Sequence, residues 1–324
     1  MRFVPKKEFN ILTEEEFSSE IKNIEQKLEA CMCSGFFDSF DGKKLYYEYF
    51  LAEDAKASIV IVHGLSEFTK KYYEVSFYLL NMGFNVFIFD QRCHGHSCRL
   101  TKDRARLHVN KFDDYVADLS LFIDNVVLKT EDKPIYIYSH SMGGAVSALY
   151  LSKNSSKIEK AVFSAPMFEP VVKIVPMPIA RIGVGIGRFF CGGKTKFPIS
   201  KEFNPAVKRN EKVDQSQARF EHHISLRRSD PDYQTTPMSF GWTHGSLTVR
   251  RKIMKKKVLS GIATPILLIS AENDKAVNNI AHEEFVSKCR VCKRIIIKGA
   301  THSMLNGNPE VLSEHIGSVM NFFG

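Results

Sequence analysis

The chain of 324 residues carries a net charge of +9, with 44% hydrophobic and 25% charged residues, which excludes a disordered or fibrous protein. Its length accommodates one large α/β domain or two ordinary ones, with a substantial buried core. No apolar run approaches the ~20 residues needed to span a bilayer, and no apolar segment with a small-residue cleavage site follows the basic start of the chain, so a cytoplasmic protein is expected.

Residues 1–10 read as an unstructured lead. Thr13 and Glu16 then form a capping box, and Phe17, Ile21, Ile24 and Leu28 mark one face of an amphipathic packing helix. Residues 35–40 and 44–51, joined across Asp41 and Gly42, predict a β-hairpin. Residues 58–62 are apolar on both faces, as a buried parallel strand would be. Helix and strand signals alternate from there: helix 70–82, strand 84–90, helix 111–128, strand 135–138, helix 142–151 and strand 158–164. After an interruption come strand 265–270, helix 280–289, strand 294–297 and helix 309–323. This order predicts a mostly parallel central sheet flanked by helices.

The interruption spans 166–260 and contains no strong strand signal, so it reads as an inserted helical cap. The expected units are therefore a lead and helix (1–33), a core in two parts (34–165 and 261–324) and the cap between them. Between residues 166 and 257 there are 18 Lys and Arg against 7 Asp and Glu, a surplus of 11, so the rest of the chain carries −2. A basic insert favours an anionic partner, a lipid surface or a nucleic acid, although any single run is more simply a solvated face. Pro178 is placed to start a cap helix in which Ile179, Ile182, Ile186 and Phe189 share one face. That face either packs onto the sheet domain or turns towards lipid.

The seven cysteines, odd in number and irregularly spaced, are expected to be free thiols, and no metal site is expected. The glycines at 183, 185 and 187 follow no strand and do not match a dinucleotide turn, so no cofactor is expected.

The chemistry centres on residues 135–149 (IYIYSHSMGGAVSAL), where a β-branched run passes without a loop into a small-residue helix. Only a tight turn fits between them, and Ser141 occupies it, with Gly143 and Gly144 allowing the helix a close approach. The motif is S-x-S-x-G, with Ser139 where G-x-S-x-G has glycine. The plainer alternative is a serine that only caps the helix. A serine hydroxyl becomes a useful nucleophile when an imidazole takes its proton and a carboxylate holds that imidazole. Asp274 and His302 each follow a later predicted strand, and parallel strands deliver their carboxyl ends to one rim. Glu272 competes for the acid, and His63, His94, His96 and His140 for the base, from less suitable positions. Backbone donors for an oxyanion are assigned to Leu65, in the turn after His63 and Gly64, and to Met142 at the helix start.

The residues His63 and Gly64, the run 90–97 (DQRCHGHS), the run 139–144 (SHSMGG), the run 271–274 (AEND) and the run 299–302 (GATH) together resemble the α/β-hydrolase fold. Within it they resemble the monoacylglycerol lipase and lysophospholipase branch, and Phe240, Gly241 and Trp242 are similar to a segment of L2-type lysophospholipases. The resemblance implies hydrolysis of a single-chain lipid ester through an acyl-enzyme on Ser141, with a small-molecule lipid as partner and no nucleic acid. The elbow differs at Ser139, and Cys93 stands where the family often has glycine. Trp242, Ile182, Ile186 and Phe189 are expected to line the acyl site, with Ile179 beside them, and peripheral contact with an anionic membrane through the basic cap is left open. Two rival readings remain. One is a carboxylesterase or proline-type aminopeptidase of the same fold, the latter expected to need acidic cap residues for a free amine. The other is an inactive scaffold that uses the basic cap for binding, with salt-sensitive affinity and no labelling of Ser141 by a fluorophosphonate.

Overall fold

The computed structural model describes residues 1–6, 10–209 and 215–324. The lead predicted to be unstructured is tied down where it is described. Phe3 pairs with Ala52, its N–H donating to Leu51 O at 2.7 Å and its carbonyl accepting from Glu53 N at 2.9 Å. The free backbone groups of residues 51–53 offer a partner that sequence periodicity cannot register; residues 7–9 of the lead lie outside the described residues.

Helix α1 (Glu14–Cys31) opens on the capping box of Thr13 and Glu16 and buries Phe17, Ile21, Ile24 and Leu28. Strands β1 (Cys33–Asp38) and β2 (Lys44–Phe50) form the hairpin, turned at Gly42 with φ +72°. Then follow β3 (Ala57–Val62), a 3-10 turn (Thr69–Tyr72), α2 (Tyr73–Asn81), β4 (Phe84–Phe89) and α3 (Asp113–Phe122). A π-helical turn (Ile123–Val127) leads into α4 (Leu128–Thr130), and β5 (Ile135–His140), α5 (Met142–Asn154) and β6 (Lys160–Ser164) complete the first part of the sheet. The insert supplies α6 (Met177–Cys191), α7 (Gln217–Ser229), α8 (Phe240–Ile253) and α9 (Lys256–Ser260). Strand β7 (Ile266–Ala271), α10 (Asn279–Lys288), β8 (Cys292–Ile297) and α11 (Pro309–Phe323) close the chain.

The eight strands form one sheet in the order β1-β2-β4-β3-β5-β6-β7-β8, with β2 antiparallel to both neighbours and β4 to β8 joined by parallel pairings through β3. Strand alternation sorts side chains to two cores. Val60 and Val62 pack with α3 and α5 on one face, and Ile59 and Ile61 pack with α2 and α11 on the other. Full burial of each such side chain contributes about 1.5–3 kcal/mol.

The cap is fastened to the core by charge as well as by packing. Arg219 on α7, almost fully buried, donates from Nη2 to Glu74 of α2 at 2.6 Å, and its guanidinium lies 4.6 Å from the Phe17 ring centroid. Arg250 on α8 meets Glu284 at 2.6 Å and Glu169, and Lys252 meets Asp113. Part of the insert's positive surplus is thus neutralised by carboxylates of the core.

Candidate active site

Four strand ends build the site. Residue 141 lies immediately beyond β5, Gly64 just beyond β3, Asp274 beyond β7 and His302 beyond β8. Because these strands run parallel, their carboxyl ends share one rim of the sheet.

At the centre, Ser141 has φ +50° and ψ −116°, in the left-handed half of backbone space that a residue with a Cβ enters at a cost of about 1–3 kcal/mol. The surroundings enforce it. A Cβ on Gly143 would collide with the Val62 carbonyl oxygen, and one on Gly144 would sit 2.5 Å from the Pro166 Cβ, so both glycines let α5 press against β3 and the start of the cap. Ser139, in place of the motif's first glycine, is fully buried and donates its hydroxyl to Val162 O at 3.2 Å; the neighbouring strand thus absorbs the extra polar group without loss of the turn. Cys93 adopts φ +63° in the loop after β4, a conformation that glycine adopts without strain.

The structure brings the three distant side chains together. The Nδ1–H of His302 donates to Asp274 Oδ2 at 2.8 Å, and His302 Nε2 lies 2.8 Å from Ser141 Oγ. An ionised carboxylate only accepts, so Nδ1 carries the proton and Nε2 is left to accept from the serine hydroxyl. Asp274 Oδ1 accepts from the N–H groups of Ala276 (2.8 Å) and Val277 (3.0 Å). Burial alone would raise the Asp274 pKa, but the His302 hydrogen bond and charge and these two N–H donors hold it below the usual carboxylate value.

The competing residues are engaged elsewhere. Glu272 accepts from Gly299 N at 2.9 Å, His96 pairs with Asp230 at 2.7 Å, and buried His94 bonds Arg92 O through Nδ1 at 3.0 Å. His63 accepts from Gln91 N at 2.9 Å and donates to Gly64 O at 2.8 Å, which fixes the turn after β3. His140 faces Glu67 at 3.7 Å, and burial, with Lys71 adding to it, pushes its pKa down to about 4 despite Glu67.

Of the two candidate oxyanion donors, Met142 is the first residue of α5, where a helix leaves N–H groups without an intrahelical acceptor. Leu65 follows Gly64, whose missing side chain would stand 3.1 Å from the Ser141 Cβ, and among the described residues nothing accepts the Leu65 N–H. Sequence reasoning missed the support of this loop: Glu67 Oε2 accepts from Gly64 N at 2.5 Å and from the Tyr72 hydroxyl at 2.6 Å, while Oε1 pairs with Lys71. Burial opposes ionisation of Glu67, but Lys71 and the further donors hold its pKa well below the ordinary carboxylate value.

A pocket of about 530 Å³ opens over Ser141 and His302, lined among others by Leu65, Met167, Phe220, Ile224, Met238 and Trp242. Trp242 is there as expected. Ile182, Ile186 and Phe189 are not. They lie 64%, 54% and 82% exposed on the outer side of α6, as does Ile179. The correction has a steric cause. The inward stripe of α6 is Ala180, Val184 and Gly187, and the ring of Phe240 on α8 occupies the space a Cβ on Gly187 would need. Small residues allow the closer approach of two helices, so the bulky stripe is left outside. The wall of the pocket comes instead from α7, whose residues Phe220, His223, Ile224 and Arg227 stand at i, i+3, i+4 and i+7. That periodicity was available in the sequence.

Comparison with known proteins agrees with this architecture. The Hydrolase_4 family model, described as serine aminopeptidase S33, matches residues 53–309. Lysophospholipase L2 of Escherichia coli is 28% identical over 89% of this chain and 86% of its own length. The monoglyceride lipase of Mus musculus is 30% identical over 39% of this chain and 41% of its own. Among solved structures, a soluble variant of monoglyceride lipase from Saccharomyces cerevisiae superposes with a TM-score of 0.71 at 18% identity, covering 89% of this chain and 93% of that one. A carboxyl esterase from Bacillus coagulans gives 0.72 at 14% identity over 90% and 98%. The fold is therefore the α/β-hydrolase fold.

Proposed function

Because the chain belongs to the Hydrolase_4 family of serine aminopeptidase S33 type, we propose that it is a carboxylic ester hydrolase acting on a single-chain lipid, a lysophospholipid or a monoacylglycerol. The observation that carries the reading is the 2.8 Å spacing on both sides of the His302 ring, which gives a hydroxyl, a base and an orienting carboxylate in register. Ser141 Oγ attacks the ester carbonyl carbon as His302 Nε2 takes its proton. The resulting oxyanion faces the N–H groups of Leu65 and Met142, a placement in which each donor is worth about 3–4 kcal/mol of barrier. Collapse expels the glycerol oxygen, which receives the proton from His302 and leaves the acyl group on Ser141. Water, deprotonated by the same imidazole, then releases the fatty acid.

Similarity to lysophospholipase L2 over most of both chains supports a lipid substrate, as does the apolar lining of Phe220, Ile224, Met238 and Trp242. The aminopeptidase alternative needs a free carboxylate for the substrate ammonium. Among the described residues the pocket's lining contains one carboxylate, Glu67, already paired with Lys71. A panel of lysophospholipid, monoacylglycerol and aminoacyl anilide, assayed with the wild type and Ser141→Ala, tests the reading; it fails if only the anilide is cleaved, or if the esters are cleaved equally well without Ser141.

The outer face of α6 suits a second role at an anionic lipid surface. Ile182, Ile186, Phe189 and Phe190 are exposed there, with exposed Lys173 before the helix and Lys194 after it. No helix among the described residues is long and apolar enough to cross a membrane. Co-sedimentation with anionic vesicles is expected to be lost on replacing Phe189 and Phe190 by glutamate; retention would remove this role.

A further inference from the structure

The pocket over Ser141 carries one cation that no carboxylate among the described residues neutralises. Elsewhere, arginines drawn into the protein meet carboxylates: Arg92 meets Asp118, Arg99 meets Asp232 and Arg219 meets Glu74. Arg227, on the pocket-lining face of α7, has no carboxylate within ion-pairing reach among the described residues. Its Nε donates to Tyr233 O at 3.1 Å and its Nη2 to Thr235 O at 3.3 Å and Thr236 Oγ1 at 2.5 Å. The guanidinium carbon also lies 4.2 Å from the Phe203 ring centroid, a cation–π contact. Nη1 donates to nothing among the described residues and is not sealed in the interior. Burial lowers the Arg227 pKa to about 10, so the group stays charged at neutral pH.

Among the described residues the charge in the pocket does not cancel. They contribute Lys71, Arg227 and one carboxylate, Glu67, which Lys71 already holds. His140 and His223 are neutral, both depressed first of all by burial. An excess positive charge with an unused N–H, in a partly desolvated cleft beside an ester-cleaving serine, calls for an anion on the substrate.

We propose that Arg227 is the head-group site of the enzyme, its free Nη1 donating to the phosphate of a lysophospholipid whose acyl ester lies at Ser141. The proposal rests on the ester-hydrolase reading above and narrows it from single-chain lipids in general to those with a phosphodiester. A guanidinium already held by three hydrogen bonds and a cation–π contact meets phosphate with little loss of side-chain freedom.

The test compares kcat/KM for a lysophosphatidylglycerol with that for the monoacylglycerol of the same acyl chain. In Arg227→Gln the phospholipid-to-glyceride ratio is expected to fall about tenfold or more, mainly through KM, while Arg227→Lys keeps most of it. An unchanged ratio in folded Arg227→Gln overturns the proposal. Since Arg227 also ties α7 to residues 233–236, a second measurement uses the wild type alone. With a short neutral ester as substrate, sn-glycero-3-phosphocholine is expected to inhibit competitively at concentrations where glycerol does not, and inorganic phosphate to inhibit more weakly. Equal inhibition by glycerol overturns the head-group site. Loss of hydrolysis of both lipids in Ser141→Ala with a ratio indifferent to Arg227 would discard this site alone, whereas hydrolysis that does not need Ser141 would discard the reading beneath it.

Discussion

The Gly64 N–H donates to the Glu67 carboxylate at 2.5 Å, three residues further along the same turn. That bond holds the loop carrying Leu65 against Ser141, and Glu67 is itself held by Lys71 and Tyr72. Glu67 is thus a positioning residue for the loop of Leu65, one of the two proposed oxyanion donors. Glu67→Gln is expected to lower kcat by about tenfold to a hundredfold with a smaller change in KM, short of removing a donor outright. Steady-state kinetics on the folded variant checks this; a pure KM effect would instead place Glu67 in ground-state binding.

Backbone strain at Ser141 predicts a trade between activity and stability. Glycine tolerates φ +50° without a Cβ clash, so Ser141→Gly is expected to stabilise the fold by about 1 kcal/mol while abolishing ester hydrolysis and fluorophosphonate labelling. Urea titration beside a labelling assay measures both. A variant less stable than wild type would mean that the serine hydroxyl contributes more to folding than the strained backbone costs.

The cap is expected to be sensitive to the ion pair between Arg219 and Glu74. Arg219 is 2% exposed, and removing its partner leaves a charge in the interior. Glu74→Ala should destabilise by about 3 kcal/mol or more, while replacing both residues with methionine should cost less than the single change. Chemical denaturation of the three proteins decides it.

Buried histidines set the acid limit of stability. His282 accepts from the Ser270 hydroxyl at Nδ1 (2.9 Å) and donates from Nε2 to Pro166 O (2.7 Å), and burial, the main cause, depresses its pKa from 6.5 to about 4. Its neutral form is the folded form. The unfolded chain therefore binds a proton first as pH falls, so this contribution is complete above pH 6.5 and is lost progressively towards pH 4, on the order of 3 kcal/mol in all. His315, depressed to about 3 by burial, acts in the same direction. Unfolding free energies measured between pH 7 and 4.5 should show a shallower slope in His282→Gln than in wild type; an equal slope would assign the acid lability to other groups.

Strand and helix order was readable over residues 58–164 and 265–323 because each β-branched run and each amphipathic stretch repeats locally, with the period of its own element. The hairpin turn at Gly42 and the cap of α1 at Thr13 were readable for the same reason, since each depends on neighbours in the chain. Ser141, Asp274 and His302 could be singled out because each follows a strand signal, and parallel strands leave their ends on one side. The lead at Phe3 was misjudged because its partners lie some fifty residues away.

What tertiary structure alone decided is which apolar surface faces inward in the cap. On α6 the bulky stripe of Ile182, Ile186 and Phe189 has the stronger hydrophobic signal, yet Gly187 meets Phe240 and turns that stripe outward. Likewise a surplus of positive charge was visible in the chain, but not that Arg219 and Arg250 would find carboxylates in the core while Arg227 would find none among the described residues. Local pattern reports how a segment can be amphipathic. The closeness of a second segment, and the charges it carries, determines which face is buried and which cation is left for a ligand.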